Sequence, residues 1–311
     1  MTAGEARDVT APVDPADLEL FEAERPRLQG AALRMLGSAA EAQDAVQEAW
    51  LRYQRTDRAV LANPAAWLLT VTGRICLDQL RARKARPETP AEPRLLADVV
   101  PAAGTEARPT DPAEEAVLVD SVGRALLVVL SRLGPAERIA FVLHDLFAVP
   151  FEELGPVLGR TPSTAKKLAS RARQRVHAPA ADSPVDVAWH RRVVEAFIAA
   201  ARGRDVAGLL AVLDPGAVRV ADPAAVPAGA RLELHGADEV VRETVLLWRN
   251  TLDAAVALVD GRVGIVVAPG GRLRAVLRMR FADGLISGYE VIADPERLSA
   301  VQLAVFEEKF D

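Results

Sequence analysis

The chain has 311 residues, half of them apolar, with 38 Lys and Arg against 43 Asp and Glu and a formal net charge of −5 at pH 7. That length exceeds one ordinary core and predicts two or three domains. A single cysteine excludes an intramolecular disulfide, and no Cys/His spacing suits a zinc site. Cys76 falls in an apolar helical pattern and reads as a core position. No run of about 18 apolar residues is available to span a membrane. The first residues, MTAGEARDVTAPVDPADLE, have neither a basic start nor an apolar stretch, so no signal peptide is expected and a cytoplasmic, reducing location follows. The acidic average argues against a nucleic-acid partner only if charge is evenly spread, and it is not. GRTPSTAKKLASRARQRV (159–176) carries six bases and no acid. Residues 74–86 hold Arg74, Arg81, Arg83, Lys84 and Arg86 against one acid, Asp78.

Residues 1–16 are expected to be disordered, and 17–86 to form three helices. Leu18, Phe21, Leu28, Ala32 and Met35 follow helical spacing, with Pro26 as a bend or a fresh start. Ser38 and Glu41 form a capping box for the next helix. Its buried stripe is Ala42, Ala45, Val46, Ala49, Trp50 and Tyr53, which turns Asp44, Gln47, Glu48 and Leu51 outward. Asn63 and Pro64 start a third helix that becomes basic toward its end. Residues 87–113, with six prolines, read as a flexible linker.

Helices return over 114–177, where a short helix, PFEELGPVLG, a turn and TPSTAKKLASRARQRV make a helix-turn-helix. Thr161 caps the last helix, and Pro156 lies inside the short one before it. Ala165, Leu168, Ala169, Ala172 and Val176 form the inner stripe of the last helix. Thr161, Ser163 and Thr164 offer hydroxyls and free N–H groups at a helix N-terminus, where a phosphate can sit. Lys166, Lys167, Ser170, Arg171 and Arg173 face outward, suited to phosphates and base edges in a major groove. The competing reading is a solvated helix whose bases only complement the C-terminal dipole.

A second linker, 178–186, leads to an α+β domain over 187–311. Two helices precede strands near 217–221 and 230–235, a helix at 237–249, and an antiparallel meander punctuated by Asp260-Gly261, Pro269-Gly270-Gly271 and Asp283-Gly284. A closing helix, DPERLSAVQLAVFEEKF, is expected at the end.

FEAERPRLQGAALRMLGSAAEAQDAVQEAWLRYQR with NPAAWLLTVTGRICLDQLRARKAR resembles region 2 of bacterial extracytoplasmic-function sigma factors, and VLSRLGPAERIAFVLHDLFAVPFEELGPVLGRTPSTAKKLASRARQRV resembles their region 4. The tail resembles a SnoaL-like cone-shaped barrel, which one group of these sigma factors carries. The resemblance implies a multidomain chain: a region 2 bundle, a region 4 helix-turn-helix and a regulatory α+β barrel. It implies core RNA polymerase as partner, through the β′ clamp helices (Asp44, Gln47, Glu48, Leu51) and the β flap. It further implies promoter contacts at −10 (Arg74, Asp78, Arg81, Arg83, Lys84) and at −35 (the outward residues from Thr161 to Arg173). Asp294, Pro295, Glu296, Arg297 and Leu298 resemble a regulatory motif near that group's C-terminus, implying an intramolecular contact of the barrel with the sigma domains. No cofactor, metal, membrane partner or catalytic activity of its own is expected.

Two other readings stand beside this one. An isomerase or cyclase would need a carboxylate or similar base in an apolar cavity; Asp222, His235, Asp253 and Tyr289 are its candidates, with no spacing that demands chemistry. A one-component helix-turn-helix regulator with a ligand-sensing barrel explains 114–311 but leaves 17–86 without a purpose.

Overall fold

The computed structural model describes residues 14–58, 61–85 and 121–306. They fall into two units: one takes the described residues up to Ala85 together with Leu133–Arg173, the other Ser121–Arg132 together with the chain from Gln174 onward.

In the first unit, α1 (Pro15–Leu36) is capped by Asp14, whose side chain accepts from the Ala16 N–H at 2.9 Å. Gly37 closes it at φ 77°, a left-handed conformation that glycine adopts without a Cβ penalty. Helix α1 runs unbroken through Pro26. Its inner stripe starts at Phe21; Leu18 is 45% exposed, contrary to expectation, because it lies about 60° round the helix from Phe21. Helix α2 (Ala39–Gln54) buries the whole predicted stripe. Trp50 stacks on Phe21 with ring centroids 4.5 Å apart, and Tyr53 lies 5.9 Å from Trp67 of α3 (Pro64–Ala85).

Helix α5 (Pro135–Phe141) continues through a π-helical turn, Val142–Leu146, before α6 (Phe151–Leu158) and α7 (Pro162–Val176). Gly73 of α3 leaves space for Leu143 of that turn, since a Cβ there would lie 2.7 Å from Leu143 Cδ1. Helix α6 accommodates Pro156 without breaking. Cys76 is fully buried, and burial pushes its thiol up to about 12, so it stays protonated and inert.

The second unit opens with α4 (Ser121–Ser131), which packs on β3. The expected region 4 segment, 114–177, is therefore divided: α4 shares the core of the sheet unit, while α5 and α6 pack with α3. The apolar face of α4, including Ala125, Leu126, Val128 and Val129, is covered, each large side chain contributing about 1.5–3 kcal/mol. Then follow α8 (Pro184–Gly203), α9 (Val206–Val212), β1 (Leu213–Ala221), β2 (Glu233–His235), α10 (Ala237–Leu246) and a 3-10 turn, Trp248–Thr251. Strands β3 (Ala254–Val259), β4 (Arg262–Val267), β5 (Ala275–Ala282) and β6 (Leu285–Ile292) lead to α11 (Pro295–Ala300) and β7 (Leu303–Ala304).

The seven strands run in the order β2-β1-β6-β5-β4-β3-β7. The predicted meander is β3 to β6, antiparallel throughout, while β1 joins β6 in parallel. Two hairpins turn on Asp260-Gly261 (φ 51° and 79°) and Asp283-Gly284 (φ 50° and 77°), the left-handed pairs that match strand twist. Val194, Phe197 and Ile198 of α8 pack with Ile265, Ile286 and Tyr289 in one core.

Three boundaries differ from expectation. The N-terminal helix begins at Pro15, within the segment expected to be disordered; residues 1–13, like the linker over 87–113, lie outside the described residues. The short linker is pinned where the Ala181 N–H donates to the Gly261 carbonyl at 2.6 Å and Asp182 lies 3.7 Å from Arg262, and α8 starts within it at Pro184. The closing helix stops at Ala300: the apolar run after it pairs with the β3 edge, Leu258 opposite Ala304 and Val259 opposite Leu303. An unpaired strand edge is a ready template for an apolar segment nearby, and it takes these residues as a strand in place of another helical turn.

Gly288 pairs with Val218 in the parallel β1–β6 register, and a Cβ there would overlap the Val218 carbonyl. Gly288→Ala is expected to destabilise the sheet unit by about 2–3 kcal/mol, read as a lower urea midpoint.

Candidate nucleic-acid interface

Thr161 organises the start of α7. Its Oγ1 accepts from the Thr164 N–H at 3.3 Å and lies 3.0 Å from Thr164 Oγ1 and 3.5 Å from Ser163 Oγ. The first turn holds no acid, so its N–H groups and hydroxyls make a positive, donor-rich tip. Ala165, Ala169, Ala172 and Val176 are fully buried, whereas Leu168 is half-buried. Lys166, Lys167, Ser170 and Arg171 are exposed on the outer face. Arg173 is exposed too, but its Nε donates to Asp145 Oδ1 at 2.7 Å, which ties that guanidinium to the π-helical turn before α6. The tight approach of α6 to α7 depends on Gly155, where a Cβ would lie 2.9 Å from the Arg160 carbonyl. Sequence reasoning passed over Gly155; the available signal was a glycine inside a short apolar helix just before a turn.

The basic end of α3 is exposed at Arg74, Asp78, Arg81, Arg83 and Lys84. Several of these side chains are already engaged. Arg81 lies 3.8 Å from Asp78 and donates to the Leu158 carbonyl at 3.4 Å. Arg83 donates to the Leu36 carbonyl at 3.3 Å and to Glu41. Glu41 thus pairs with Arg83, while the Ser38 hydroxyl still accepts from the Glu41 N–H at 3.4 Å. Beside Arg74 runs an open groove of about 560 Å³, walled by Asn63, Trp67 and Thr70 on one side and by Glu152, Glu153 and Pro156 on the other. Trp67, one heptad before Arg74 and so on the same helix face, gives the groove an aromatic wall.

On α2, Asp44 and Gln47 are exposed and Leu51 is 38% exposed. Glu48 is half-buried and pairs with Arg52 at 2.9 Å one turn on. The face carries Asp44, Gln47 and Glu48 with an apolar residue toward the C-terminal end of the helix, unlike the basic faces of α3 and α7.

The C-terminal motif is built into the sheet unit. Asp294 caps α11, accepting from the Arg297 N–H at 2.9 Å, and Pro295 takes the first position. Asp222 is buried, and its carboxylate accepts from the N–H groups of Ala225, Ala293 and Asp294 at 3.0, 2.9 and 2.9 Å. Arg297 lies 3.6 Å from Asp222 and also binds Glu290, Leu298 is buried, and Glu296 is exposed. Arg132, just after α4, donates to the carbonyls of Leu298, Ser299 and Val301 at 2.6, 3.3 and 2.9 Å. Burial, and then the nearby Arg175, lower the Arg132 pKa from its ordinary value, and the three carbonyls offset that desolvation.

The enzymatic candidates do not converge. Asp222 is occupied by backbone donors, His235 is exposed 3.2 Å from Glu233, and of the four only Tyr289 lines the cavity between α8, α10 and the sheet. Among the described residues no group of three or more His, Cys, Asp or Glu is placed to hold a metal ion, and no helix is long and apolar enough to cross a membrane.

Family models for Sigma-70 region 2 and Sigma-70, region 4 match residues 20–86 and 123–176. The ECF RNA polymerase sigma factor SigJ of Mycobacterium tuberculosis is 37% identical over 300 residues, covering 91% of this chain and 93% of its own. The probable ECF RNA polymerase sigma factor SigI of the same organism is 33% identical over 283 residues, covering 91% and 94%. The RNA polymerase sigma factor CarQ of Myxococcus xanthus is 27% identical over 177 residues, covering 55% of this chain and 92% of CarQ. The crystal structure of SigJ aligns over 90% of this chain and 98% of its own with 34% identity and a TM-score of 0.45.

Arg132→Met removes the donors that hold the turn after α11. Amide exchange over residues 298–305 is expected to quicken about tenfold to a hundredfold, as loss of a charge-assisted hydrogen bond of about 1.5–3 kcal/mol implies. Exchange in β5 and β6 should stay unchanged.

Proposed function

The chain belongs to the extracytoplasmic-function family of RNA polymerase sigma factors, and from that premise we propose how its surfaces divide the family's work. A sigma factor binds core RNA polymerase and directs it to promoters; the bonds made during transcription are the polymerase's. In this reading α2 docks on the β′ clamp helices through Asp44, Gln47, Glu48 and Leu51. The basic end of α3 opens and reads the −10 element, with Arg74 and Lys84 on phosphates and Trp67 stacking on an unpaired base. Helix α7 enters the major groove at −35 with Ser163, Thr164, Lys166, Lys167, Ser170 and Arg171, and region 4 meets the β flap.

The observation that carries the assignment is the separation of charge by helix: α2 turns Asp44, Gln47 and an exposed leucine outward and neutralises Glu48 with Arg52, whereas α3 and α7 are basic outward. One surface suits a protein partner, the other two a polyanion. The one-component regulator gives α1–α3 no task, and the isomerase reading finds its carboxylate Asp222 committed to three backbone N–H groups.

The SnoaL-like C-terminal domain, in the same proposal, tunes the sigma regions through the DPERL motif. What supports this is the hold of Arg132, at the end of α4, on the backbone that follows the motif. Deleting the domain would also strip α4 of its cover, so a point change is the cleaner probe. Promoter output by Arg132→Met equal to that of the parent chain would overturn the regulatory claim.

Two measurements test the rest. Asp44→Lys with Glu48→Lys is expected to abolish binding to purified core polymerase with an unchanged melting curve; retained binding would remove α2 from the interface. Lys166→Ala and Lys167→Ala should each flatten the log–log salt dependence of −35 duplex binding by about 0.9 for every phosphate left without its cation, and an unchanged slope would take those lysines off the DNA.

A further inference from the structure

The sheet unit holds a half-open cavity that none of the roles above employs. It has about 90 Å³ of free space, several times what one water needs. Its walls are largely apolar, with Ile198 from α8 and Ile265 and Val267 from β4. Arg219, Glu243, Thr244, Asn250, Thr251 and Tyr289 supply its polar groups, and the Thr251 hydroxyl is already given to the Trp248 carbonyl at 2.5 Å.

The chemistry of those groups narrows what can enter. Arg219 is 1% exposed; its Nε donates to Glu243 Oε2 at 2.7 Å and its Nη1 to the carbonyls of Arg231 and Leu232 at 3.3 and 3.1 Å. The pair is neutral as a whole, so a charged occupant would lose its hydration without gaining a counter-ion. Thr244 donates its only proton to the Val240 carbonyl at 2.8 Å, and the Tyr289 hydroxyl lies 3.3 Å from Thr244 Oγ1. Tyr289 is therefore the donor in that contact, and its oxygen keeps acceptor capacity. Burial pushes the Tyr289 phenol up to about 12, so it remains neutral. The wall that includes Ala221, Ala225 and Val226 is the same turn that holds Asp222, so an occupant would touch the segment that anchors α11.

We propose that this cavity is a binding site for a small, uncharged and mainly apolar molecule carrying one hydroxyl group, whose proton is donated to the Tyr289 oxygen. The proposal stands apart from the roles assigned to α2, α3 and α7, because binding is measured on the full-length chain without polymerase or DNA. Calorimetric titration with p-cresol, and with toluene as its twin lacking the hydroxyl, tests it. Saturable binding of p-cresol at one site per chain is expected. Tyr289→Phe should weaken p-cresol about fivefold to tenfold and leave toluene unaltered, the signature of one missing hydrogen bond. Ala254→Leu fills the cavity and should abolish binding of both; Ala225→Leu does the same from another wall should the first variant fail to melt cooperatively. Absence of saturable p-cresol binding at millimolar concentration, or binding that neither filled variant reduces, would overturn the site. Equal weakening of both probes by Tyr289→Phe would overturn the hydroxyl assignment.

Discussion

An α-helix ends with carbonyl groups that have no partner within it, and in this protein arginine side chains from elsewhere in the chain repeatedly supply one. Arg138, 8% exposed, donates to the Met35 carbonyl at the end of α1 at 3.0 Å, and Arg83 to the neighbouring Leu36 carbonyl. Arg58 takes the carbonyls of Tyr53 and Gln54 at the end of α2 at 2.7 and 3.1 Å. Arg132 does the same after α11, and Arg202 of α8 binds the carbonyls of Thr251 and Ala254, each at 2.8 Å. A guanidinium suits this task because its fork reaches several acceptors at once and it keeps its charge. Even Arg138, pushed down to about 10 by burial and by Arg83, is cationic at neutral pH. The contacts of Arg83, Arg132 and Arg138 join elements far apart in sequence.

The same chemistry divides the basic residues into two populations. Arg58, Arg83, Arg132, Arg138 and Arg202 hold backbone, while Arg81 and Arg173 are partly engaged by Asp78 and Asp145. Arg74, Lys84, Lys166, Lys167 and Arg171 remain exposed on the outer faces of α3 and α7. An acidic chain can serve a polyanionic partner because these exposed bases are concentrated on two helices. The outer face of α2 differs, with Asp44 exposed and Glu48 paired with Arg52.

The C-terminal unit combines two features with opposite demands. Its cavity needs apolar walls that hold their shape around free space, and the neutral Arg219–Glu243 pair fixes α10 to β1 without leaving a lone charge inside. Its last turn needs a firm anchor, which Asp222 provides by collecting three N–H groups from two segments. CarQ matches only 55% of this chain, whereas SigJ and SigI match it almost throughout. The two sigma regions keep their order along the chain, over residues 20–86 and 123–176, although α4 of the second packs with the sheet.

Local physics made much of this legible beforehand. The stripe of α2, the caps at Ser38, Asn63 and Thr161, and both Asp-Gly hairpins follow from side-chain periodicity and the few residues that tolerate left-handed φ, so sequence alone determined them. It also determined that α7 is basic outward and that α2 turns Asp44 and Gln47 outward. Neighbour-dependent features stayed hidden. Glu41 left the expected capping box because Arg83 lay within reach. Residues 303–304 became strand because β3 offered an open edge. Leu18, fitting the stripe by count, stayed exposed. The placement of α4 in the sheet unit, the groove beside Trp67, and the bond from Arg132 to the turn beyond Leu298 depend on segments more than a hundred residues apart in some cases, or on volumes left between helices. No local pattern encodes such distances; only tertiary packing, which pairs each buried face and each orphan carbonyl with what is nearby, decided them.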